Sequence, residues 1–453
     1  MMSARSMTFL RWAGIAVLSA FMVCNGILAQ ATNSGPYIID LPTTLRLAGA
    51  QNLDVQIARE RLREAKAQQD QALLRFFPWL APGAGYRRHD GNIQDVAGAV
   101  FEANKQAYSV GAALTLQVDL GDAIYQSLAS RQLARAAEES VEVSRQDEIL
   151  AAATGYLELA KTEASIAVLR DGLRIAEDYA GQVHRAMEVG VAYKGEVLRA
   201  DLQTRRNQLQ IRRADEERRL AAARLAQLLR LDPAVDLLPA PGDLVPLTLV
   251  PTNAALDMLV AQALGGRPEL RRAAALVRSA EAGRNGAVKG PWIPTVGAMA
   301  YLGGLGGGVD SAWNNFDGTA DYLLGATWRI GPGGIGDRSR VRSAEAREQI
   351  SLLETQKVSD EVVRQVVASV TRAQSLADQL EIARQTVETA GELLRLSRDR
   401  REFNVGAVLE AVQAEADLTQ SRLEYLALMA SHNQAQFALR RATGEVSTTA
   451  RLP

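Results

Sequence analysis

The stretch IAVLRDGLRIAEDYAGQVHRAM, residues 166–187, carries apolar or small side chains at alternating intervals of three and four residues. Those positions are Ile166, Leu169, Leu173, Ala176, Ala180, Val183 and Met187. Because residues at this spacing share one face of a helix, the stretch predicts a long helix packed in a coiled coil. The same spacing returns at Leu376, Leu380, Ala383, Val387, Ala390 and Leu394. A further predicted seam comprises Leu409, Val412, Ala416, Leu423, Leu426, Ala430 and Phe437, with Thr419 and Asn433 as polar members.

Proline is absent from two long intervals, between Pro82 and Pro233 and between Pro332 and Pro453. A helix interior excludes proline, so each interval can hold very long helices. Five prolines lie close together between the two intervals. Residues 233–252 are therefore expected to form an extended linker.

A glycine-containing break interrupts each interval, near residues 190–195 in the first and 404–406 in the second. Each interval therefore predicts a helical hairpin, over residues 122–230 and 337–442. At 1.5 Å per residue, each descending helix would be about 100 Å long. A globular domain of this size cannot contain two such rods, so they are expected to project from it.

The chain contains two copies of one unit. Pro78-Trp79 recurs as Pro291-Trp292, and Gly121-Asp122 recurs as Gly336-Asp337. A repeat of this length has to be recognised before any single motif is interpreted. The predicted organisation is a first repeat at 41–232, a linker at 233–252, a second repeat at 253–444 and a tail at 445–453.

Residues 108–118 and 321–330 alternate apolar side chains with small or polar ones. A period of two predicts β-strands with one apolar face, and about ten residues can cross a bilayer at a tilt. The strands are expected within residues 79–119 and 292–331. All four tryptophans after residue 31 fall in these regions, as in an aromatic girdle at a lipid–water boundary. They are Trp79, Trp292, Trp313 and Trp328.

The alternation assigns side chains to two faces of the predicted sheet. The lipid-facing positions are expected to be Leu114, Leu116, Leu324 and Trp328. The lumen-facing positions are expected to be Thr115, Gln117, Thr327 and Arg329. The stretch 303–318, which is rich in glycine and asparagine, is expected to form an exposed turn.

Four strands cannot close a barrel, and open strand edges cannot lie in lipid, so other copies of the chain must complete it. Cyclic symmetry is the economical arrangement. The predicted fold class is mainly α with a small β part. Long antiparallel coiled-coil hairpins and four transmembrane β-strands per chain are completed by oligomerisation to an α-barrel and a β-barrel.

The N-terminus has the layout of a secretory signal peptide, predicted to end at residue 31. Arg5 and Arg11 precede an apolar stretch, and Ala29-Gln30-Ala31 supplies small residues at the cleavage spacing. The apolar part is marginal in length for a membrane anchor. Cys24 lacks the small preceding residue expected for lipid modification.

Beyond residue 31 the chain has 49 basic and 52 acidic residues and no cysteine. This balance gives no reason to expect nucleic-acid binding, which requires a basic face. The three histidines, His89, His184 and His432, are far apart in sequence, so no metal site is predicted. We predict no enzymatic activity and no cofactor, because no serine or cysteine lies in a nucleophile context.

Residues 331–336 match the G-x-G-x-x-G pattern of dinucleotide-binding loops. The preceding strand has a membrane-type alternation, and no βαβ pattern follows. The segment is therefore interpreted as a bend from a strand into a helix.

Taken together, these features resemble the outer-membrane efflux protein family, the TolC-like outer-membrane factors. The resemblance extends from about Leu41 to Gly444 and rests on ordered, doubled motifs. They are Val189-Gly190, Leu198-Arg199-Ala200, Arg267-Pro268-Glu269-Leu270, Pro291-Trp292-Ile293-Pro294 and Val405-Gly406.

The resemblance implies a homotrimer in the outer membrane, in contact with outer-membrane lipid, with a long periplasmic extension. It also implies a passive exit duct that receives substrates from an inner-membrane transporter through a periplasmic adaptor. The adaptor would dock on the hairpin tips at Val189, Gly190, Val405 and Gly406. These tips lack the hydroxyl residue usual in such proteins. Small molecules, metal ions and secreted polypeptides are all compatible with such a duct.

Charged residues flank both hairpin turns, and a permanently open duct would make the outer membrane leaky. Candidate gate residues that could pair between neighbouring helices are Arg185, Glu188, Asp399, Arg400, Arg401 and Glu402. Solvated end charges are the alternative interpretation. Two other functions are a periplasmic adaptor, which needs one hairpin only, and an envelope coiled-coil scaffold, which needs no alternating strands.

Overall fold

A computed structural model of the protein describes residues 36–251, 254–309, 315–402 and 408–444. The predicted signal peptide and C-terminal tail lie outside the described residues. So do Trp313 and the second predicted tip, Val405 and Gly406.

Eight helices are described. They are α1 (Leu41–Gln51), α2 (Leu53–Leu74), α3 (Leu120–Glu188), α4 (Lys194–Leu229), α5 (Leu256–Gly266), α6 (Pro268–Lys289), α7 (Arg338–Glu402) and α8 (Val408–Thr443). The eight described strands are β1 (Tyr37–Ile39), β2 (Trp79–His89), β3 (Asn92–Gln94), β4 (Val100–Glu102), β5 (Lys105–Asp119), β6 (Leu237–Pro239), β7 (Thr295–Val309) and β8 (Asp317–Thr327). A 3₁₀ turn covers Gly290–Trp292.

Two helical hairpins, α3 with α4 and α7 with α8, dominate the molecule. Helix α3 has 69 residues and α7 has 65, which makes each rod about 100 Å long. The two long helices predicted from the proline-free intervals are confirmed. The first heptad seam is buried at Ile166, Leu169 and Val183, whereas Met187 at its end is exposed.

The predicted seam on α8 is confirmed only in part, at the buried residues Thr419, Ala430, Asn433 and Phe437. Ala416, Leu423 and Leu426 are only half-buried, while Glu415 and Leu418 are buried. Helix α8 packs against α3 and α4 as well as against α7, so its buried stripe is wider than a two-helix heptad seam.

Four antiparallel strands form one sheet in the order β2-β5-β7-β8. The expected turn at 303–318 is too long, because β7 continues to Val309 and pairs with all of β5, and β8 begins at Asp317. Glycines within β7 make room for aromatic rings: a Cβ at Gly304 would overlap Phe316, and one at Gly306 would overlap Tyr108. The rings of Tyr108 and Phe316 stack with centroids 5.7 Å apart.

A third region surrounds the middle of the rods. Strand β1 pairs in parallel with β6, and both pack on α3 and α4 around Tyr156 and Leu225. The linker is also tied to α8, because Asn433 accepts the N–H of Leu247 at 2.8 Å. The Tyr156 hydroxyl donates to Asp243 in the linker. The linker is therefore anchored to both hairpins.

Candidate functional site: the sheet, its junctions and the hairpin ends

The strand register places apolar side chains together on one face of the sheet. Leu116 pairs with Ala298, which pairs with Leu324 across β5, β7 and β8. Leu114 is aligned in the same way with Tyr322. Leu324 is 80% exposed, although it lies in the middle of an apolar face. This face therefore presents apolar surface that the chain itself does not cover.

The opposite face is mainly small or polar. Its polar members include Ser109, Thr115, Gln117, Thr295, Asp321 and Thr327. Met299, Leu305, Val309 and Leu323 are apolar exceptions, and Trp79 of β2 also lies on this face. Leu114, Leu116 and Leu324 thus share one face, as their alternation requires, and its contact with lipid remains a prediction.

Trp328 does not belong to the strand in which the sequence placed it. Strand β8 ends at Thr327, so both Trp328 and Arg329 lie beyond it. The indole N–H of Trp328 donates to the carbonyl oxygen of Trp292 at 3.2 Å. The predicted alternation fails here because the chain leaves the sheet to enter a loop.

The two strand-to-helix junctions differ. In the first, Asp119 is both the last residue of β5 and the N-cap of α3, accepting the N–H of Asp122 at 3.0 Å. Gly121 lies so close to the backbone of Gly290 that a Cβ would overlap it. The glycine of the Gly-Asp motif therefore allows α3 to approach the 3₁₀ turn.

In the second junction, residues 328–337 separate β8 from α7. The carboxylate of Asp337 accepts the N–H groups of Gly333, Ser339 and Arg340. Bonds from the Ser339 hydroxyl and these amides lower the pKa of Asp337. The glycine pattern at 331–336 thus forms a bend from strand to helix, as interpreted from the sequence.

The tip of the first hairpin exposes apolar side chains. Val189 is 75% exposed, and Val191 and Tyr193 are also exposed. Gly190 has φ +76°, a left-handed conformation that a side chain would disfavour. The Val191 N–H donates to Ala186 and closes the helix end. Glycine is therefore favoured at this turn because the backbone there is left-handed.

The charges near the second tip pair within one chain. Arg395 bonds Glu392 at 2.6 Å and Asp399 at 2.9 Å on the same helix. Arg400 reaches Glu410 on α8 at 3.6 Å, a partner that the sequence analysis missed. The side chains of the candidates Arg401 and Glu402 lie outside the described part of the chain.

At the first tip, the candidate gate residues Arg185 and Glu188 stand at the end of α3. Neither forms an ion pair with any residue that the structure describes. His184, the residue before Arg185, lies 3.1 Å from Asp201 of α4.

Polar contacts join the two hairpins in the halves that lie nearer their tips. Arg422 of α8 bonds Asp171 of α3 at 2.8 Å. Glu415 is buried beside Asn207 and Thr419, which donate to it at 3.4 and 3.1 Å. Burial raises the pKa of Glu415, and these two bonds offset part of the effect. Nothing in the local sequence separates this glutamate from the solvated ones beside it.

A buried ionic cluster joins the start of α6 to the end of α8. Glu269 accepts from Arg267 at 2.8 Å and from Arg441 at 2.5 Å. Arg441 also bonds Asp147 of α3 at 2.8 Å, and Arg267 bonds Gln365 of α7 at 2.6 Å. The Arg-Pro-Glu-Leu motif, noted only as the opening of the second repeat, therefore has a structural role.

Among the described residues, no group of three or more histidine, cysteine, aspartate and glutamate side chains is arranged to hold a metal ion. None of the described helices is both long and apolar enough to cross a membrane.

Two rods of about 100 Å that extend from a four-stranded sheet match the folds of solved outer-membrane channels. The crystal structure of the CmeC outer membrane channel of Campylobacter jejuni superposes with a TM-score of 0.75 at 16% identity, over 90% of this chain and 86% of that chain. The open state of the Neisseria gonorrhoeae MtrE outer membrane channel superposes with a TM-score of 0.70 at 18% identity, over 89% of this chain and 88% of that chain. A membrane protein from Pseudomonas aeruginosa superposes with a TM-score of 0.77 at 20% identity, over 89% of this chain and 93% of that chain.

Residues 44–229 and 259–445 match the sequence model of the family described as outer membrane efflux protein. The chain belongs to this family. It is an outer-membrane exit duct of tripartite efflux systems, with its helical rods extending into the periplasm. The adaptor and scaffold alternatives are thereby excluded. No protein of curated function matches the sequence significantly.

Proposed function

We propose that three copies of the chain form one passive, non-enzymatic duct that docks through its hairpin tips on a periplasmic adaptor. The observation that carries the proposal is the four-stranded sheet with one apolar face. In the described part of the chain, β2 and β8 each have a strand neighbour on one side only. An unpaired edge in lipid leaves backbone groups without hydrogen bonds, so neighbouring copies must supply the missing partners.

The helix packing supports the same closure. Within one copy, α2, α3, α6 and α7 pack in that order. Exposed apolar side chains lie on the two outer members, with Leu73 and Leu74 on α2 and Ile350 and Leu353 on α7. The α3–α6 contact between repeats thus has a natural counterpart between α7 of one copy and α2 of the next. Three copies would give twelve strands, within the range of known barrels.

Disulfide cross-linking tests this closure. Beyond Cys24, in the predicted signal peptide, the chain has no cysteine. Ala84→Cys on β2 is combined in turn with Ala320→Cys, Tyr322→Cys or Leu324→Cys on β8. At least one pair should give a covalent trimer on a non-reducing gel.

The matched control is Ala84→Cys with Val110→Cys, because these residues already face each other within one sheet. It should give a monomer with an internal bridge. A folded, membrane-inserted monomer in all variants would contradict the proposed trimer.

The tips are proposed to dock the adaptor and to hold the duct closed at rest. Val189 and Gly190 form the exposed end of the first hairpin, and Val405 with Gly406 is the sequence counterpart on the second. Exposed ion pairs contribute only about 0–1 kcal/mol each, but cyclic symmetry would multiply a weak pair.

Conductance in planar bilayers tests the gate. Charge reversal at Asp399 and Glu402, singly and together, should raise the resting conductance. Arg364→Glu, in an exposed ion pair far from the tip, is the control and should leave it unchanged. Unchanged conductance in all tip variants would place the gate elsewhere.

A further inference from the structure

A cleft of about 470 Å³ lies where the second repeat leaves the sheet. It is bounded by the end of α6, the 3₁₀ turn, the loop before α7 and the first turns of α7. Trp292, Ile335 and Val341 supply apolar walls, and Arg338 and Arg342 supply charge. The first repeat has no corresponding loop, because Asp119 ends β5 and begins α3 directly.

The cleft lies at the helical end of the sheet, beside two exposed tryptophans. Trp292 is 68% exposed and Trp328 is 56% exposed. Tryptophan concentrates at the lipid–water boundary of membrane barrels. Because the helices extend into the periplasm, this end of the sheet would meet the phosphate layer of the periplasmic leaflet.

The two arginines of the cleft are not neutralised by the residues that the structure describes. Arg338 and Arg342 are four residues apart, so they share one side of α7. Neither has an ion pair among the residues that the structure describes, whereas Arg364, Arg384 and Arg395 on the same helix each bond the glutamate three residues before.

One carboxylate also lines the cleft, that of Asp337. It is already bonded to three backbone N–H groups and to the hydroxyl of Ser339. Arg340, between the two free arginines, is bonded to Asp122. The lining therefore keeps an excess of one positive charge beside apolar walls.

We propose that this cleft binds a glycerophospholipid of the periplasmic leaflet, with its phosphate between Arg338 and Arg342 and its first acyl carbons against Trp292, Ile335 and Val341. Guanidinium groups bind phosphate oxygens in pairs of parallel hydrogen bonds, which favours arginine at such a site. The inference rests on the proposed insertion of the sheet in the outer membrane.

The experiment is native mass spectrometry of the full protein in detergent with added phosphatidylglycerol. Wild-type protein should retain one lipid per protomer. Arg338→Gln with Arg342→Gln should weaken retention about 30-fold, since each basic residue at an anionic lipid surface contributes about 1 kcal/mol. Arg347→Gln, an exposed arginine further along α7 and outside the cleft, is the control and should bind like the wild type.

Two further measurements separate the lipid from other occupants. Val341→Phe, which fills the apolar part, should reduce lipid retention while the protein stays assembled. If millimolar inorganic phosphate displaces the lipid completely, the cleft is only an anion site and the inference fails. It also fails if the arginine variants bind normally, or if Val341→Phe dissociates the copies, which would show that a neighbouring chain covers the cleft.

The outcome is distinguishable from that of the proposed function. Wild-type protein that cross-links as a trimer and conducts in bilayers, but retains no lipid, overturns only the lipid site.

Discussion

The two repeats build the same framework from different chemistry. In the first, Asn52 caps α2 and donates to Glu148 at 2.6 Å and to the carbonyl oxygen of Leu228 at 3.2 Å. In the second, Arg267 stands at the start of α6 and binds Glu269, which also binds Arg441. A neutral cap and a buried ionic cluster therefore occupy corresponding helix starts. The framework depends on helix and strand lengths more than on these particular contacts.

The largest expected effect separates these two helix starts. Arg441 has a side chain only 7% exposed, so Arg441→Met leaves Glu269 and Asp147 without one of their partners. We expect a loss of about 3–5 kcal/mol in the free energy of unfolding, because a buried arginine loses two charge-assisted hydrogen bonds, each contributing about 1.5–3 kcal/mol. Asn52→Ala should cost about 1 kcal/mol, as for an ordinary cap. Denaturant unfolding followed by circular dichroism measures both, and equal losses would remove the distinction between the repeats.

A second comparison concerns the strands that precede the two rods. Leu116→Arg on β5 and Leu324→Arg on β8 lie at the same level of the sheet. Each should cost about 2 kcal/mol if this face contacts lipid, since both positions lie between the bilayer midplane, where arginine costs about 2–4 kcal/mol, and the interface, where it costs about 0–1 kcal/mol. Thr115→Arg, on the opposite face, should cost much less.

Folding into lipid vesicles, measured by the fraction of protein that resists unfolding on a gel without heating, provides the test. A Thr115 variant as damaged as the Leu116 variant would contradict the assignment of the faces.

One glutamate in each repeat should also change the stability of the protein in opposite directions as the pH falls. Burial raises the pKa of Glu269 by itself, but hydrogen bonds from Arg267 and Arg441 outweigh it and lower the pKa to about 2. Its contribution to stability is present above the ordinary value of 4.5 and is lost as the pH falls towards 2. Glu269→Gln should therefore destabilise the protein at neutral pH. The variant should also lose less stability than the wild type as the pH falls.

The pKa of Glu148, in the first repeat, is shifted in the opposite direction. Burial, followed by the charges of Asp54 and Asp147, raises its pKa. The ionised form is disfavoured in the folded protein, so stability increases as the pH falls through the raised pKa. Glu148→Gln should raise the unfolding temperature at neutral pH. Parallel pH profiles for the Glu148 and Glu269 variants would show that the two sites are equivalent.

The smallest effects are expected at the strand-to-helix junctions. Asp119 accepts one backbone N–H, whereas Asp337 accepts three and a hydroxyl. Asp337→Ala should therefore lower the unfolding temperature more than Asp119→Ala, by thermal denaturation at neutral pH. Asn replacements, which retain an acceptor oxygen, should recover most of each loss.

The sequence predicted those parts of the fold that local periodicity encodes. The heptads that begin at Ile166 and at Leu376 repeat over several helical turns, and the alternation around Leu114 repeats over several residues. Each periodicity can therefore be detected in the local sequence alone. The buried stripe of α8 could not be read in this way, because Glu415 is buried by contacts with the other hairpin. The end of β8 was misplaced because Trp328 continues the alternation after the hydrogen bonding has stopped.

The site was predictable to a smaller extent for the same reason. The glycine at position 190 and the shared face of Leu114 and Leu116 follow from local rules of turns and strands. The partners of Arg400 and Arg441 lie on helices that meet only in the folded chain, and no spacing in the sequence connects them. The loop at 328–337, which forms the cleft, was recognised as a bend, but the side chains that it gathers were not.

The pairing of β5 with β7 also sets the order in which the protein can fold. Its paired residues are about 180–200 positions apart, whereas β2 pairs with β5, and β7 with β8, across much shorter separations. Contacts between distant segments form slowly, because the entropy of closing the intervening loop is lost before the contact is gained. Each repeat can therefore form its own strand pair and rods early, while the central seam of the sheet waits for the second repeat to be exported. During that interval one edge of β5 is unpaired and open to aggregation, so it has to be protected until β7 arrives.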